Sequence, residues 1–587
     1  MDLAILLLAA ALVRLPFLLQ SGNFLDLDEA TFGLMAHRFL TGEIPIYFSS
    51  QSYLGSFAAF VLFPLTLFLG WTALPVKLTA FLFFLGFFTV NFLLFKKIAG
   101  RTAAIFASLF LIFMPSHLFD LSLRVLGGHS ELWLFQAALL LLLYRYFEEP
   151  PRSPVLLLFA IGLILGTALW ICEIFLLFLI PFAIYFFLKF RSLSEVSDFF
   201  HLGRFRLPPK LRMLFRVWHG CLVVFFLIHL AGLVFLTPAT EKFFHFFGAS
   251  PPFEIKTLKI VFLILCGEIF LVSWFQTPSA SRISTFSRLG SFLGGFLIGY
   301  FPAIFFNLAG GEGLRILEKS GALHLGVWVE RGHFIFTKRI PEFILDLRPP
   351  FFTPLLSIHA LANLVFCCLI VFILLMTGIY FRRDKNSYVW IFYGMGIFTI
   401  FANLISTLEA ARYLAPLYLA LTGIFGFFFG KILWPRARAL SILIALLMLS
   451  HFAYGTCRFY QSVPKNFQSS YDGIIDFLES RNLRGGYASR QISSVLTYLS
   501  EEKLVFSSFG IPDRYFAYED YVGTLKERAY IFETGDSSHD AFKKDAASLS
   551  SRVFGPYVVY YPENSEGTDL PYAPSVRKFF LHIYLNE

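Results

Sequence analysis

Apolar runs of about 17 to 25 residues, the length needed to cross a bilayer, recur from residue 2 to about residue 455 and constrain everything else in this chain. Within hydrocarbon a segment must satisfy its own backbone, so the runs read as membrane-crossing helices. Composition agrees. Of the 587 residues 57% are hydrophobic and 15% charged, with a mean hydropathy of +0.69, against roughly 25% charged residues in soluble domains. Phenylalanine alone supplies 77 positions, which suits lipid-facing helices and says nothing about chemistry.

About thirteen crossings are expected, near residues 2–20, 75–95, 102–118, 131–147, 154–170, 171–189, 217–236, 259–275, 289–307, 354–377, 388–407, 412–430 and 436–455. The first lacks a clear basic n-region and a small-residue cleavage site, so it reads as a retained helix rather than a signal peptide. The net charge of +9 sits mainly in short loops at 96–101, 189–216, 282–288, 382–385 and 431–438. With the N-terminus inside, all of these loops are cytoplasmic, the positive-inside pattern, and the basic balance reports orientation rather than a nucleic-acid partner. Residues 53–70 are apolar enough to cross, yet counting them would reverse every later loop. They are expected to lie in the interface or dip in without crossing; the alternative is that they cross and another helix is miscounted. Five of the six cysteines (Cys172, Cys221, Cys266, Cys367, Cys368) lie in apolar segments and only Cys457 beyond them. No disulfide or zinc framework follows.

The expected architecture is an α-helical polytopic membrane domain over 1–455, with external loops at 21–74, 119–131 and 308–353. A small α/β domain over 456–587 follows. The long polar loop at 308–353 is of a kind uncommon unless functional. After residue 456 the chain turns rich in Ser, Asp, Glu, Lys and Tyr, and the runs 486–488, 504–506, 529–532 and 558–561 read as strands between helices. An odd number of crossings places this domain outside. There is no internal repeat, low-complexity tract, Walker loop or dinucleotide fingerprint, so neither ATP hydrolysis nor a nicotinamide cofactor is supported.

Three stretches can carry chemistry. Asn23-Phe24-Leu25-Asp26-Leu27-Asp28-Glu29-Ala30-Thr31-Phe32-Gly33 places three carboxylates in four residues between apolar segments. Mutual repulsion and lost hydration raise carboxylate pKa values unless a cation or metal compensates, and a more basic carboxylate can take a proton from an acceptor hydroxyl or amine. The plainer reading is a solvated turn with Asp28 capping a helix that begins near Glu29. Leu123-Arg124-Val125-Leu126-Gly127-Gly128-His129-Ser130-Glu131, on the same expected face, offers a cation, an imidazole and a carboxylate around a close-approach glycine turn. An interfacial hairpin is its bland counterpart. Glu409-Ala410-Ala411-Arg412-Tyr413-Leu414-Ala415-Pro416 puts an arginine at membrane depth, where it is costly unless paired. Its planar fork suits a lipid phosphate, with snorkelling or pairing to Glu409 as the alternative. Arg14, Lys77, Glu173 and Asn307 are further polar residues within apolar runs, and Lys77 lies at the outer end of its expected helix.

The run Asp28-Glu29-Ala30-Thr31-Phe32-Gly33, followed by Ala36, Gly42 and Tyr53-Leu54-Gly55-Ser56, resembles the first external loop of the glycosyltransferase family 39 type. That family comprises the protein O-mannosyltransferases and bacterial relatives including aminoarabinose transferases. It belongs to the larger GT-C fold, which also contains the oligosaccharyltransferase catalytic subunit. The resemblance continues through 124–131 and 411–416. It implies a base at Asp28, a supporting acid at Glu29, and the second-loop acid at Glu131, where many members have Asp. It implies non-crossing surface helices in the first loop, and Lys77 stands where relatives carry Arg. Leu496-Thr497-Tyr498-Leu499-Ser500 and Arg514-Tyr515 resemble the external domain of bacterial members.

The implied activity is inverting transfer of a hexose or pentose from a polyprenyl-phosphate donor to a protein, lipid or glycan acceptor, outside a bacterial inner membrane. Asp28 is expected to take the acceptor proton, while Arg412, Lys77 and Arg124 stabilise the leaving phosphate and His129 and Tyr413 line the substrate. No cofactor is required, and a divalent metal is compatible. A transporter or flippase would explain the helices and intramembrane charges, but not the acidic loop or the external domain, and transporters tend to show repeated halves. A scaffold without activity is the third reading.

Overall fold

The computed structural model describes residues 1–49, 51–149, 153–172, 175, 179, 181, 182, 185, 279–309, 325–347, 358–384, 387–405, 411–465, 467–509, 513–546 and 549–563. The expected crossings at 217–236 and 259–275 and most of 171–189 lie outside these residues. So do Glu173, Glu409, the basic loop at 189–216 and much of the 308–353 loop.

Helices begin with α1 (Asp2–Leu19), α2 (Leu27–His37), α3 (Phe57–Leu69), α4 (Ala73–Ile98), α5 (Arg101–Ile112), α6 (Ser116–Leu121), α7 (Ser130–Glu148) and α8 (Pro154–Ile171). Then come α9 (Ser279–Leu308), α10 (Leu325–Phe334), α11 (Ile358–Phe381), α12 (Val389–Ile405), α13 (Ala415–Phe427) and α14 (Arg438–Ser462). The last four are α15 (Phe467–Ser480), α16 (Arg490–Leu499), α17 (Phe516–Thr524) and α18 (Ser537–Asp545). Strands β1 (Tyr47–Phe48) and β2 (Gln51–Gly55) form a hairpin in the first loop. Strands β3 (Gly485–Ala488), β4 (Val505–Ser508), β5 (Ala529–Glu533), β6 (Ser550–Phe554) and β7 (Tyr557–Tyr561) form a five-stranded sheet.

Among the described residues seven helices are long and apolar enough to cross a membrane: Asp2–Leu19, Ala73–Ile98, Pro154–Ile171, Ser287–Leu308, Leu361–Phe381, Arg412–Leu433 and Arg438–Ser480. They carry exposed Leu8, Leu12, Leu297, Phe301, Leu375 and Leu443, a surface suited to lipid tails. Helix α7 covers the run expected at 131–147. The expected crossing at 102–118 is not one helix. Phe113 turns extended, Pro115 has no N–H to donate, and a separate helix begins at Ser116. Helix α3 has 13 residues, about 20 Å at 1.5 Å per residue, short of the roughly 30 Å hydrocarbon core. Helix α5, with 12 residues, is equally short, so length alone does not separate the two.

The chain divides into two compact units. One comprises Met1–Leu6, Phe87–Phe119 and Leu132–Gly455; within it α8 runs along α9, and α13 packs on α12 and α5. The other comprises Leu7–Gly86, Asp120–Glu131 and Thr456–Glu587, so the sheet belongs with the first loop in one unit.

In this second unit the sheet order is β4-β3-β5-β7-β6, with β3 parallel to β4 and β5, and β7 antiparallel to β5 and β6. All four runs expected as strands are strands. On one face of the sheet Tyr487, Tyr530, Phe532, Val558 and Tyr560 pack with Phe509 and Phe542 in an aromatic core. Strand β6 is the unforeseen one. Ser550-Ser551-Arg552 reads as polar loop, and the strand sits at the sheet edge, where polar and charged side chains are tolerated.

Helix α2 is buried along Glu29 to Ala36 and packs on α16 and α3. Gly33 permits the approach: a Cβ there would lie 2.3 Å from the Tyr498 ring. Tyr498 is itself fixed, its hydroxyl donating to the Thr72 carbonyl at 2.9 Å.

Candidate active site

The acidic stretch folds around its own helix start. Asp26 is the N-cap of α2, accepting from the Glu29 backbone N–H at 2.9 Å, and Glu29 Oε2 accepts in return from the Asp26 N–H at 3.3 Å. This reciprocal capping box satisfies two backbone donors of the helix start. The capping role therefore belongs to Asp26, and the helix begins two residues earlier than the turn reading of Asp28 requires. Asp28 lies inside the first turn.

Glu29 and Lys77 form a pair with no solvent exposure on either side chain. Lys77 Nζ donates to Oε1 at 2.8 Å and to Oε2 at 2.6 Å, and lies 3.9 Å from the centre of the Phe24 ring. Arg124 stands beside them, its Nε 3.8 Å from Glu29 Oε2. Its Nη1 donates to Asp120 at 2.8 Å, and Nη2 binds Asp26. Burial pushes the Glu29 carboxyl up to about 7, opposed by the attraction and hydrogen bonds of Lys77. Burial also pushes Asp120 up to about 7, again opposed by Lys77.

Asp28 is treated differently. Its partly exposed carboxylate receives Arg514 Nη2 on Oδ1 at 2.5 Å. The Arg514 guanidinium also lies over the Phe48 ring, 4.7 Å from its centre. A second tether comes from α16, where Gln491 accepts from the Leu27 N–H at 2.8 Å and donates to the Leu25 carbonyl at 3.0 Å. The start of α2 is thereby gripped from both sides of its cap.

The second stretch closes over the same unit. Gly127 and Gly128 both have φ of +69°, a region that disfavours other residues, and a Cβ on Gly127 would lie 2.6 Å from Leu54. Glu131 is buried at the start of α7, accepting from the Gly128 N–H at 2.8 Å and the Ser130 hydroxyl at 3.3 Å. His129 is buried beside it. These contacts turn the carboxylate to the glycine turn and the helix start.

Of the residues expected from the sequence, Asp28, Glu29, Lys77, Arg124, His129 and Glu131 fall in this unit. Arg412 and Tyr413 fall in the other, with the Arg412 guanidinium 5.7 Å from the centre of the Tyr413 ring. Lys77 and Arg124, expected at the leaving phosphate, are engaged by carboxylates here. Three residues were missed. Asp120 has a signal, an acid four residues before Arg124 in the same short stretch expected to be external. Arg514 stands in the Arg514-Tyr515 resemblance with no role attached, and nothing in the sequence marks Gln491.

A divalent metal does not fit this set. Asp26, Asp28, Glu29 and Asp120 are each turned to a cationic side chain. Among the described residues no group of three or more His, Cys, Asp or Glu is placed to hold a metal ion.

No protein-family model matches the chain, and no curated protein does. Among solved structures it is similar to ArnT from Cupriavidus metallidurans in the apo state, at 12% identity and a TM-score of 0.38, covering 94% of this chain and 97% of that one. The same protein bound to undecaprenyl phosphate gives the same figures. Archaeal oligosaccharyltransferase AglB from Archaeoglobus fulgidus, in complex with an inhibitory peptide and a dolichol-phosphate, is similar at 13% identity and a TM-score of 0.49, covering 97% of this chain and 74% of that one. Likeness at this level assigns no residue and no activity to the chain.

Proposed function

We propose that the chain is an inverting glycosyltransferase that moves a monosaccharide from a polyprenyl-phosphate donor to an acceptor on the external face of a bacterial inner membrane. The observation that carries this reading is the division of labour in the acidic cluster. Asp26 is used as a cap and Glu29 is locked in a buried pair, while Asp28, one residue from Glu29, keeps its carboxylate partly exposed at the helix start. Neighbouring carboxyls in such different environments can serve as base and supporting acid.

Asp28 takes the proton of an acceptor hydroxyl or amine as the acceptor atom bonds to the anomeric carbon. The bond from that carbon to the phosphate oxygen breaks on the opposite face, and its electron pair leaves with the lipid phosphate. Glu29 and Lys77 hold the first turn of α2 so that Asp28 stays aimed. Arg412 remains a candidate for lipid-phosphate binding in its own unit. The test is incubation of the purified protein in nanodiscs with a panel of polyprenyl-phosphate sugars. Release of free polyprenyl phosphate with one of them is expected; movement of lipid across the bilayer without sugar release would point to a flippase instead.

A further inference from the structure

A leaving phosphate needs a cation, and the cations around Asp28 are not equally able to supply one. Lys77 is bound to both oxygens of Glu29 at zero exposure, and Arg124 is held between Asp26 and Asp120. Separating a pair as buried as Lys77 and Glu29 leaves a stranded charge in a place water does not reach. The Asp28 and Arg514 side chains are 15% and 11% exposed, against none for Lys77 and Glu29, so their separation is easier than that of the buried pair; Arg124 and Asp26 are more open, at 27% and 25%, but that pair does not involve Asp28. The guanidinium is a planar fork of N–H donors that matches phosphate. Arg514 also comes from the segment just before α17, not from a long buried helix.

We infer that Arg514 is a positioning residue that exchanges Asp28 for the phosphate of the lipid-linked donor. While the guanidinium donates to Oδ1, the acceptor's hydroxyl or amine must compete with it for that oxygen. When the donor phosphate draws the guanidinium away, Oδ1 is released beside the anomeric carbon, and the same arginine meets the charge that develops on the leaving phosphate. Donor binding and release of Oδ1 become one event, so the base is fully freed when a donor is present. The inference rests on Asp28 being the base of a polyprenyl-phosphate-dependent transferase.

The test is equilibrium binding of polyprenyl phosphate to the full-length protein in nanodiscs, so that affinity is read without turnover. Arg514→Gln is expected to weaken binding by about tenfold or more, the scale of one charge-assisted hydrogen bond, with Arg514→Lys recovering part of it. Asp28→Asn, with Arg514 intact, is expected to bind the lipid more tightly, because the competing carboxylate is gone. That gain should vanish when Arg514→Gln is added. A gain of affinity cannot come from misfolding, and a purely structural ion pair predicts no gain. Unchanged or weaker binding in Asp28→Asn, or wild-type affinity in Arg514→Gln, overturns the exchange. Inorganic phosphate should compete only at far higher concentration, and competition at the concentration of the lipid overturns its assignment to a lipid-linked phosphate. Failure of the exchange alone leaves wild-type donor turnover intact, whereas a wild-type protein that neither binds the lipid phosphate nor releases it from any donor removes the transferase reading as well.

Discussion

At the scale of single residues, three neighbouring carboxylates have been given three tasks, and this makes them separable by substitution. Asp28→Asn keeps the volume and removes the base. General-base contributions of about a hundred- to ten-thousandfold lead to an expected loss of at least about a hundredfold in donor turnover, with normal expression and membrane insertion. Asp26→Asn retains a side chain able to cap and should cost far less. Turnover that survives the first change but not the second would move the base to Asp26, and survival of both would reduce the loop to a surface turn. Glu29 gives a different signature. Its carboxyl and that of Asp120 are raised from ordinary values of 4.5 and 3.8 to about 7, by burial against the pull of Lys77. The folded protein therefore keeps protons that the unfolded chain has lost. The stability from these groups is fully present below about pH 4 and is lost as the pH rises through about 7. The apparent melting temperature in nanodiscs should fall between pH 5 and pH 8, with a shallower slope in Glu29→Gln. At pH 8, where the Glu29 carboxyl is ionised, that variant should also be less stable, because Lys77 is left without its charged partner in a buried place. An equal slope in both proteins would show that Glu29 does not titrate in this window. The sequence marked these carboxylates because three of them cannot share four residues without compensation. It could not assign the cap, since Asp26 and Asp28 are both good capping residues and only the fold decides which backbone N–H lies within reach.

At the scale of elements, the site depends on how α2 is seated. Its N-terminus is held by Gln491 of α16 and its middle lies against Tyr498 of the same helix. Gly33→Ala would drive a methyl into the buried ring and should lower stability by roughly 1 to 3 kcal/mol, the usual range for overpacking. Gln491→Ala removes a donor and an acceptor from two backbone groups at the cap, and should raise the donor KM through loss of position. Thermal unfolding and steady-state kinetics check the two outcomes. A Gly33→Ala protein as stable as wild type would mean that α16 can retreat, and an unchanged KM in Gln491→Ala would mean that the Asp26 capping box holds the loop alone. Elements with one strong period were legible: the long helices, and strands β3, β4, β5 and β7 with their Tyr, Val, Ile and Phe runs. Elements set by local geometry were less so. The break between α5 and α6 follows from Pro115 within an otherwise continuous apolar run, and β6 is polar because it closes an edge. The contact between α2 and α16 joins residues more than 450 positions apart, and no local pattern encodes it.

At the scale of the whole molecule, the proposal requires that the pieces of the site face the same side of the membrane. The division of the chain bears on this. The expected external stretches at 21–74 and 456–587, together with most of 119–131, fall within one compact unit, although the sequence scatters them over the full length of the chain. The charge pattern leads to the same orientation independently, since it places Lys96, Lys97 and Arg101 inside when α3 does not cross. Single cysteines at Asn23, Lys96 and Asp520, introduced into a cysteine-free background, decide the matter through labelling of intact cells with an impermeant thiol reagent. Asn23→Cys and Asp520→Cys should react from outside, and Lys96→Cys only after the membrane is opened. If α3 crosses instead, an even number of crossings would lie between residues 23 and 96, and both positions would label from the same side. Labelling of Asn23→Cys and Asp520→Cys from opposite sides would be decisive in another way. Asp28 and Arg514 could then never meet in the native membrane, and the transferase mechanism and the exchange built on it would fall together.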